Sequence, residues 1–289
     1  MPLHCGPVDR MITRHADWTL RFQANQITKV INMVLTIDIG NSNIVLGVFS
    51  KGKLQFISRI STDINKTSDE LSVMMNEIFT IRGIKRGDIS GSVLSSVVPA
   101  LTHLMEEAVE LITGSRPFLI APGIKTGMNI KIDNPALLGS DMMVNCVAAT
   151  ALYPRPLIVA DMGTATTLTA VDSSGSIIGA AIMPGVRTAL NALIARTAQL
   201  PQISLESPQK VIGTNTNDSM RSGVVLGNAS MLDGMIERFE EELGSEAFVV
   251  ATGGLSGEIC RHMKKKVTHN PNLLLEGLYI LYKRNRREE

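Results

Sequence analysis

The chain has 289 residues, with 44% apolar and 19% charged side chains and a net charge of +1. That balance excludes a disordered polypeptide and gives no global electrostatic reason for a nucleic-acid partner. Three scattered cysteines without a C-x-x-C pair indicate neither a zinc site nor a disulfide framework, and point to reduced thiols in a cytoplasmic compartment.

No apolar run approaches the length that spans a bilayer and the N-terminus lacks a signal-peptide pattern, so no membrane association is expected. Residues 1–32 show no firm periodicity. Met33 stands directly before the first convincing strand, so the segment reads as an N-terminal extension, disordered or an overcalled translation start, and no function is assigned to it.

From Met33 to Ile60 the pattern is a three-strand meander with Lys51-Gly52-Lys53 as a turn. Helical spacing follows from Ser68 to Phe79, where Ser68 is a candidate cap and Leu71, Met74, Met75 and Ile78 share a face. A strand over Gly91–Val98 precedes a helix opened by Pro99, in which His103 reads as a surface residue. Asn134-Pro135 favours a turn, and a helix runs from Asp141 to the proline pair at 154 and 156, the expected interdomain connection. Asp141 is either that helix's cap or a catalytic carboxylate.

The stretch from Ile158 to Gly175 is an apolar strand ending in Asp161, a turn of small and hydroxylated residues, a second strand and a Ser-Gly turn. Gly163 permits close approach of an anion, Thr164, Thr166 and Thr167 offer hydroxyls, and Asp161 can hold a cation. The first meander repeats this design: Asp38 precedes Gly52 by 14 residues, as Asp161 precedes Gly175. The strands at Gly91 and Phe248 correspond as third elements, so the chain divides into two related halves facing a nucleotide-sized cleft. Pro184-Gly185 opens a helix to about Thr197, whose Leu190, Leu193 and Ile194 suit a core or a partner subunit. A polar loop, Gly213 to Thr216, leads into a helix from about Asp218 to Glu242. Gly253-Gly254 is bare enough to lie beneath an adenine or ribose, and a last helix covers Pro271–Arg284.

Taken together, D-x-G-N-S at Asp38, N-P-x-x-x-G-S-D ending at Asp141, D-x-G-T-A-T at Asp161, P-G at Pro184, T-A-x-L-P at Thr197, G-x-N-T ending at Thr216 and G-G at Gly253 resemble the type III pantothenate kinases, over about Met33 to Tyr282. The resemblance implies an α/β fold of the sugar kinase, Hsp70 and actin superfamily. Two ribonuclease H-like domains in tandem, 33–153 and 154–289, would enclose an interdomain ATP cleft. It implies ATP phosphate contacts by Asp38, Ile39, Gly40, Asn41, Ser42, Asn43, Ile44 and Val45, with Thr164, and joins Gly253 and Gly254 to the nucleotide site. It also implies a monovalent cation (K+ or NH4+) on Asp161, Mg2+ with the ATP, and Asp141 as proton acceptor. Gly139, Ser140, Asp141 and Thr216 would meet the acceptor, and the chain would be a homodimer touching through the Arg187–Ala195 helix.

Two positions depart from the family pattern: Met142 replaces an arginine and Ile132 a tyrosine. Three readings follow from them. The chain phosphorylates pantothenate with its carboxylate held by Arg187 or Lys131; it uses a more apolar or uncharged alcohol; or it binds nucleotide without turnover, as a regulator.

Overall fold

The computed structural model describes residues 32–286; the expected extension therefore lies, through residue 31, outside the described residues. Two mixed five-stranded sheets repeat one topology. The first, in the order β3-β2-β1-β4-β5, is built from β1 (Met33–Ile39), β2 (Asn43–Ser50), β3 (Lys53–Ser61), β4 (Ile89–Ser96) and β5 (Phe118–Leu119). The second, in the order β10-β9-β6-β7-β8, uses β6 (Leu157–Met162), β7 (Ala165–Val171), β8 (Ile177–Pro184), β9 (Phe248–Thr252) and β10 (Val267–His269). In each sheet the aspartate-bearing strand pairs antiparallel with the next strand and parallel with the third element. Asp38 is thereby flanked by Val45 and Ser95, and Asp161 by Thr167 and Thr252. The turn glycines Gly52 and Gly175 both adopt positive φ, 79° and 85°, as tight turns at these positions demand.

Alternation along the strands decides which way the aspartates point. Leu35, Ile37 and Ile39 face a core shared with helices α1 (Ser68–Ile81) and α2 (Pro99–Thr113). Ile158, Ala160 and Met162 likewise face helices on the outer side of the second sheet. Asp38 and Asp161 must then face the middle layer, formed by α3 (Ser140–Leu152) and the C-terminal helix α8 (Leu273–Asn285), which pack on both sheets. Met142 to Ala149 are all buried, because α3 is covered on every side. Gly277 of α8 permits the crossing: a Cβ there would stand 2.3 Å from the Val144 carbonyl oxygen.

The second sheet's outer layer carries α4 (Val186–Ala195), the short α5 (Thr216–Arg221), a π-helical turn (Ser222–Leu226), α6 (Gly227–Leu243) and α7 (Ser256–Cys260). Several local expectations are corrected. The cap of α1 is Thr67, whose hydroxyl and the Glu70 carboxylate bond each other's backbone N–H in a capping box, and not Ser68. Helix α3 starts at Ser140 with Gly139 as its cap, so Asp141 lies in the first turn and does not cap it. The helix expected from Asp218 starts at Thr216, capped by Asn215, and passes through the π turn. His103 is exposed beside Glu106 and Glu107, as a surface residue should be. Among the described residues no helix is long and apolar enough to cross a membrane.

Candidate active site

The carboxyl ends of β1 and β6 converge on a cleft of about 570 Å³ between the sheets, a volume suited to a small-molecule ligand. Its walls carry Asp38, Asp141 and Asp161 together. The two hairpin tips meet across it: Ser42 Oγ and Thr164 Oγ1 are 3.0 Å apart although 122 residues separate them. Each tip closes on itself, through Gly40 N–H to the Asn43 carbonyl and Gly163 N–H to the Ala165 carbonyl, both 3.0 Å. Thr62 Oγ1 donates to the Gly40 carbonyl at 2.6 Å, and Thr188 Oγ1 to the Thr164 carbonyl at 2.7 Å, bracing the tips from behind.

Of the expected nucleotide-contacting residues, Asp38, Gly40, Asn41, Ser42, Asn43, Val45, Thr164, Gly253 and Gly254 line the cleft. Ile39 and Ile44 do not; both side chains are fully buried in the first core, which leaves only their backbone for a ligand. Gly139 and Ser140 adjoin the cleft behind Asp141. A Cβ at Gly139 would stand 2.5 Å from the Asp141 carboxylate, and Ser95 Oγ donates to Ser140 Oγ at 3.1 Å, tying β4 to the start of α3. Thr216 is elsewhere, in a second groove between α4 and the 213–228 segment, with Leu190 and Leu193. Lys131 is engaged by Asp172 at 2.9 Å and does not line the cleft.

The electrostatics follow from crowding. Burial, then the charges of Asp141 and Asp161, lift the Asp38 carboxyl to about 8. Asp161 is raised to about 6 by burial and then by Asp141, while a hydrogen bond from Asn145 Nδ2 at 2.9 Å opposes the rise. Asn145 is buried and its Oδ1 has no partner among the described residues. Periodicity could have found it: it lies one turn after Asp141 on α3, so both face the same wall. Two guanidinium groups also line the cleft, Arg59 on β3 and Arg187 on α4. Arg59 was foreseeable from register, since it pairs with Val45, itself opposite Asp38. A cleft with desolvated carboxylates, arginines and small-residue hairpins is built for a polyanion arriving with cations.

A family model for type III pantothenate kinases matches residues 34–238. The chain belongs to the type III pantothenate kinase family. Relatives bearing that name include proteins of Moorella thermoacetica, 43% identical over 88% of this chain and all of the relative, and Bacillus cytotoxicus, 40% identical over 88% and 97%. Solved structures of similar shape include a Campylobacter jejuni protein described as a Baf family transcriptional activator. Its TM-score is 0.55 at 17% identity, covering 87% of this chain and 98% of that one. Spiroplasma citri MreB 5 bound to AMPPNP aligns with TM-score 0.50 at 11% identity, covering 88% and 96%. At such identity these likenesses carry the fold alone, that of the actin-like ATPases.

Within the family frame, Met142 follows Asp141 on α3 and is buried, so no cation stands beside that carboxylate on its own helix turn.

Proposed function

We propose that this kinase transfers the γ-phosphoryl group of ATP to the primary alcohol of pantothenate, the entry step of coenzyme A biosynthesis. The observation that carries the reading is the convergence of two acidic hairpins and Asp141 on one cleft in a chain of this family. Phosphoryl transfer needs alignment and charge neutralisation more than covalent help. The hairpin tips, joined at Ser42 and Thr164, offer backbone and hydroxyl donors to the phosphates. Asp141 accepts the hydroxyl proton. Mg2+ arriving with the ATP would be held near the cleft carboxylates and would supply Lewis-acid stabilisation. Asp161, supported by Asn145, is the seat for a monovalent cation, K+ or NH4+, and the free carbonyl Oδ1 of Asn145 fits that role chemically.

With Met142 apolar and Lys131 engaged by Asp172, Arg187 is the residue that receives pantothenate's carboxylate. Two ribonuclease H-like domains, divided near residue 153, hold the halves of the site. A homodimer belongs to the same reading. Edge strand β8 exposes Ile178, Ala180, Ile182 and Pro184 on one face, and α4 beside it exposes Leu193. An apolar edge of this kind calls for a cover. The thiols of Cys146 and Cys260 are free, in keeping with a cytoplasmic enzyme.

The test is an acceptor screen with ATP, Mg2+ and K+, read as ADP release. Pantothenate should drive release, and a neutral analogue lacking the carboxylate should need far higher concentrations. Release with neutral alcohols alone would contradict the proposal.

A further inference from the structure

The nucleotide end of the cleft carries a hydrogen-bonded pair that lines no part of it. Strand β9 ends at Thr252, and Gly253, Gly254 and Leu255 form the turn that faces the cleft. Gly253 has φ +96°, and a Cβ there would stand 2.6 Å from the Met162 backbone, so this turn is pressed against the end of β6. Its carbonyl is held from the other side. Ser256, fully buried, donates its hydroxyl proton to the Gly253 carbonyl at 2.6 Å. His269 Nε2, on β10, is 3.0 Å from the same Ser256 oxygen.

A serine hydroxyl has one proton. With that proton directed at Gly253, the oxygen can only accept from His269, so the imidazole carries its proton on Nε2. Immediately after His269, Asn270 N–H bonds the Ala251 carbonyl and Asn270 Nδ2 bonds the Tyr153 hydroxyl, and Pro271, leaving the neighbouring parallel strand, also lines the cleft. The Ser256–His269 pair therefore fixes the glycine turn to the adjacent strand end, which reaches the same cleft.

We propose that Ser256 and His269 are positioning residues for nucleotide binding, which hold the Gly253–Leu255 turn in the shape the base and ribose require. The proposal rests on the reading of this turn as the nucleotide's seat. Without the pair, the turn occupies its binding shape only part of the time, and apparent affinity falls by that fraction.

The experiment is calorimetric titration of ADP into the full chain, alongside steady-state kinetics and thermal unfolding. Ser256→Ala should weaken ADP binding and raise the ATP KM about five- to tenfold, with the acceptor KM and kcat at saturation unchanged. His269→Ala should follow it, and His269→Gln, whose amide N–H replaces the Nε2–H donor, should recover most of the loss. Nitrogen NMR of His269 at neutral pH should report the Nε2-protonated tautomer. Gly254→Val separates the two levels of the argument. A Cβ at Gly254 meets nothing within 4 Å, so the fold is spared while the side chain enters the cleft. Loss of ADP binding in Gly254→Val with wild-type affinity in Ser256→Ala would overturn the positioning role alone. Wild-type affinity in Gly254→Val would overturn the reading of the seat. A drop in kcat without a change in ADP affinity, or an Nδ1-protonated His269, would also refute the proposal.

Discussion

Asp38→Asn, studied without nucleotide or divalent cations, tests the crowding of the cleft directly. Burial and the neighbouring Asp141 and Asp161 charges move the Asp38 carboxyl from 3.8 to about 8. Because the folded value lies above the unfolded one, the folded chain keeps a proton that the unfolded chain releases. The contribution to stability is therefore full below about pH 4 and is lost as pH rises toward about 8. At about 1.4 kcal/mol per pH unit the whole interval amounts to roughly 6 kcal/mol. Asp38 keeps one side open to the cleft, so water recovers about half, leaving a loss of about 3 kcal/mol. The Asn side chain has no proton to lose. Over the three units from about pH 5 to about pH 8 the loss is about 2 kcal/mol, so thermal unfolding should show the variant gaining on the wild type by about 3 to 4 °C. A difference that stays constant with pH, or shifts toward the wild type at the higher pH, would refute the claim that three carboxylates share one desolvated space.

Arg187→Gln should raise the pantothenate KM about ten- to a hundredfold and leave the ATP KM unchanged, whereas Lys131→Ala should alter neither; steady-state kinetics checks both. At limiting K+, kcat/KM should fall as pH drops through about 6, where Asp161 takes up a proton. Asn145→Ala, by removing the hydrogen bond that favours the anion, should move that limb to higher pH. Replacing K+ by Na+ at neutral pH should slow ADP release, and an unchanged rate would count against a cation at Asp161.

The repeat was legible because both hairpins carry their chemistry in a short, regularly spaced stretch: strand, D-x-G, strand, turn. Period-two alternation then dictated that Asp38 and Asp161 face the same layer, even though the sequence does not reveal that α3 and α8 form it. Residues that depend on distant partners were out of reach. The Ser42–Thr164 contact joins segments 122 residues apart, and the Lys131–Asp172 ion pair spans 41. Neither leaves a local pattern. Asp141 suits a cap by residue type because carboxylates favour helix starts, but Gly139 takes that place; Asp141 lines the cleft from the first turn, with its Oδ1 accepting the Met142 N–H at 2.8 Å. Ile39 and Ile44 fall within the motif that the resemblance assigns as a whole to ATP, although strand alternation sends their side chains into the core. The resemblance groups Thr216 with Asp141, but within this chain the two line different cavities.

The proposed chemistry has Asp141 accept a proton from pantothenate's alcohol while the paired hairpins hold ATP. Its most direct test compares wild type with Asp141→Asn in ATP, Mg2+, K+ and pantothenate, with the product identified by mass spectrometry. Phosphopantothenate is expected from the wild type, with a fall of about a hundred- to ten-thousandfold in kcat for the variant and ATP binding intact. Phosphopantothenate formed by the variant at the wild-type rate would contradict it.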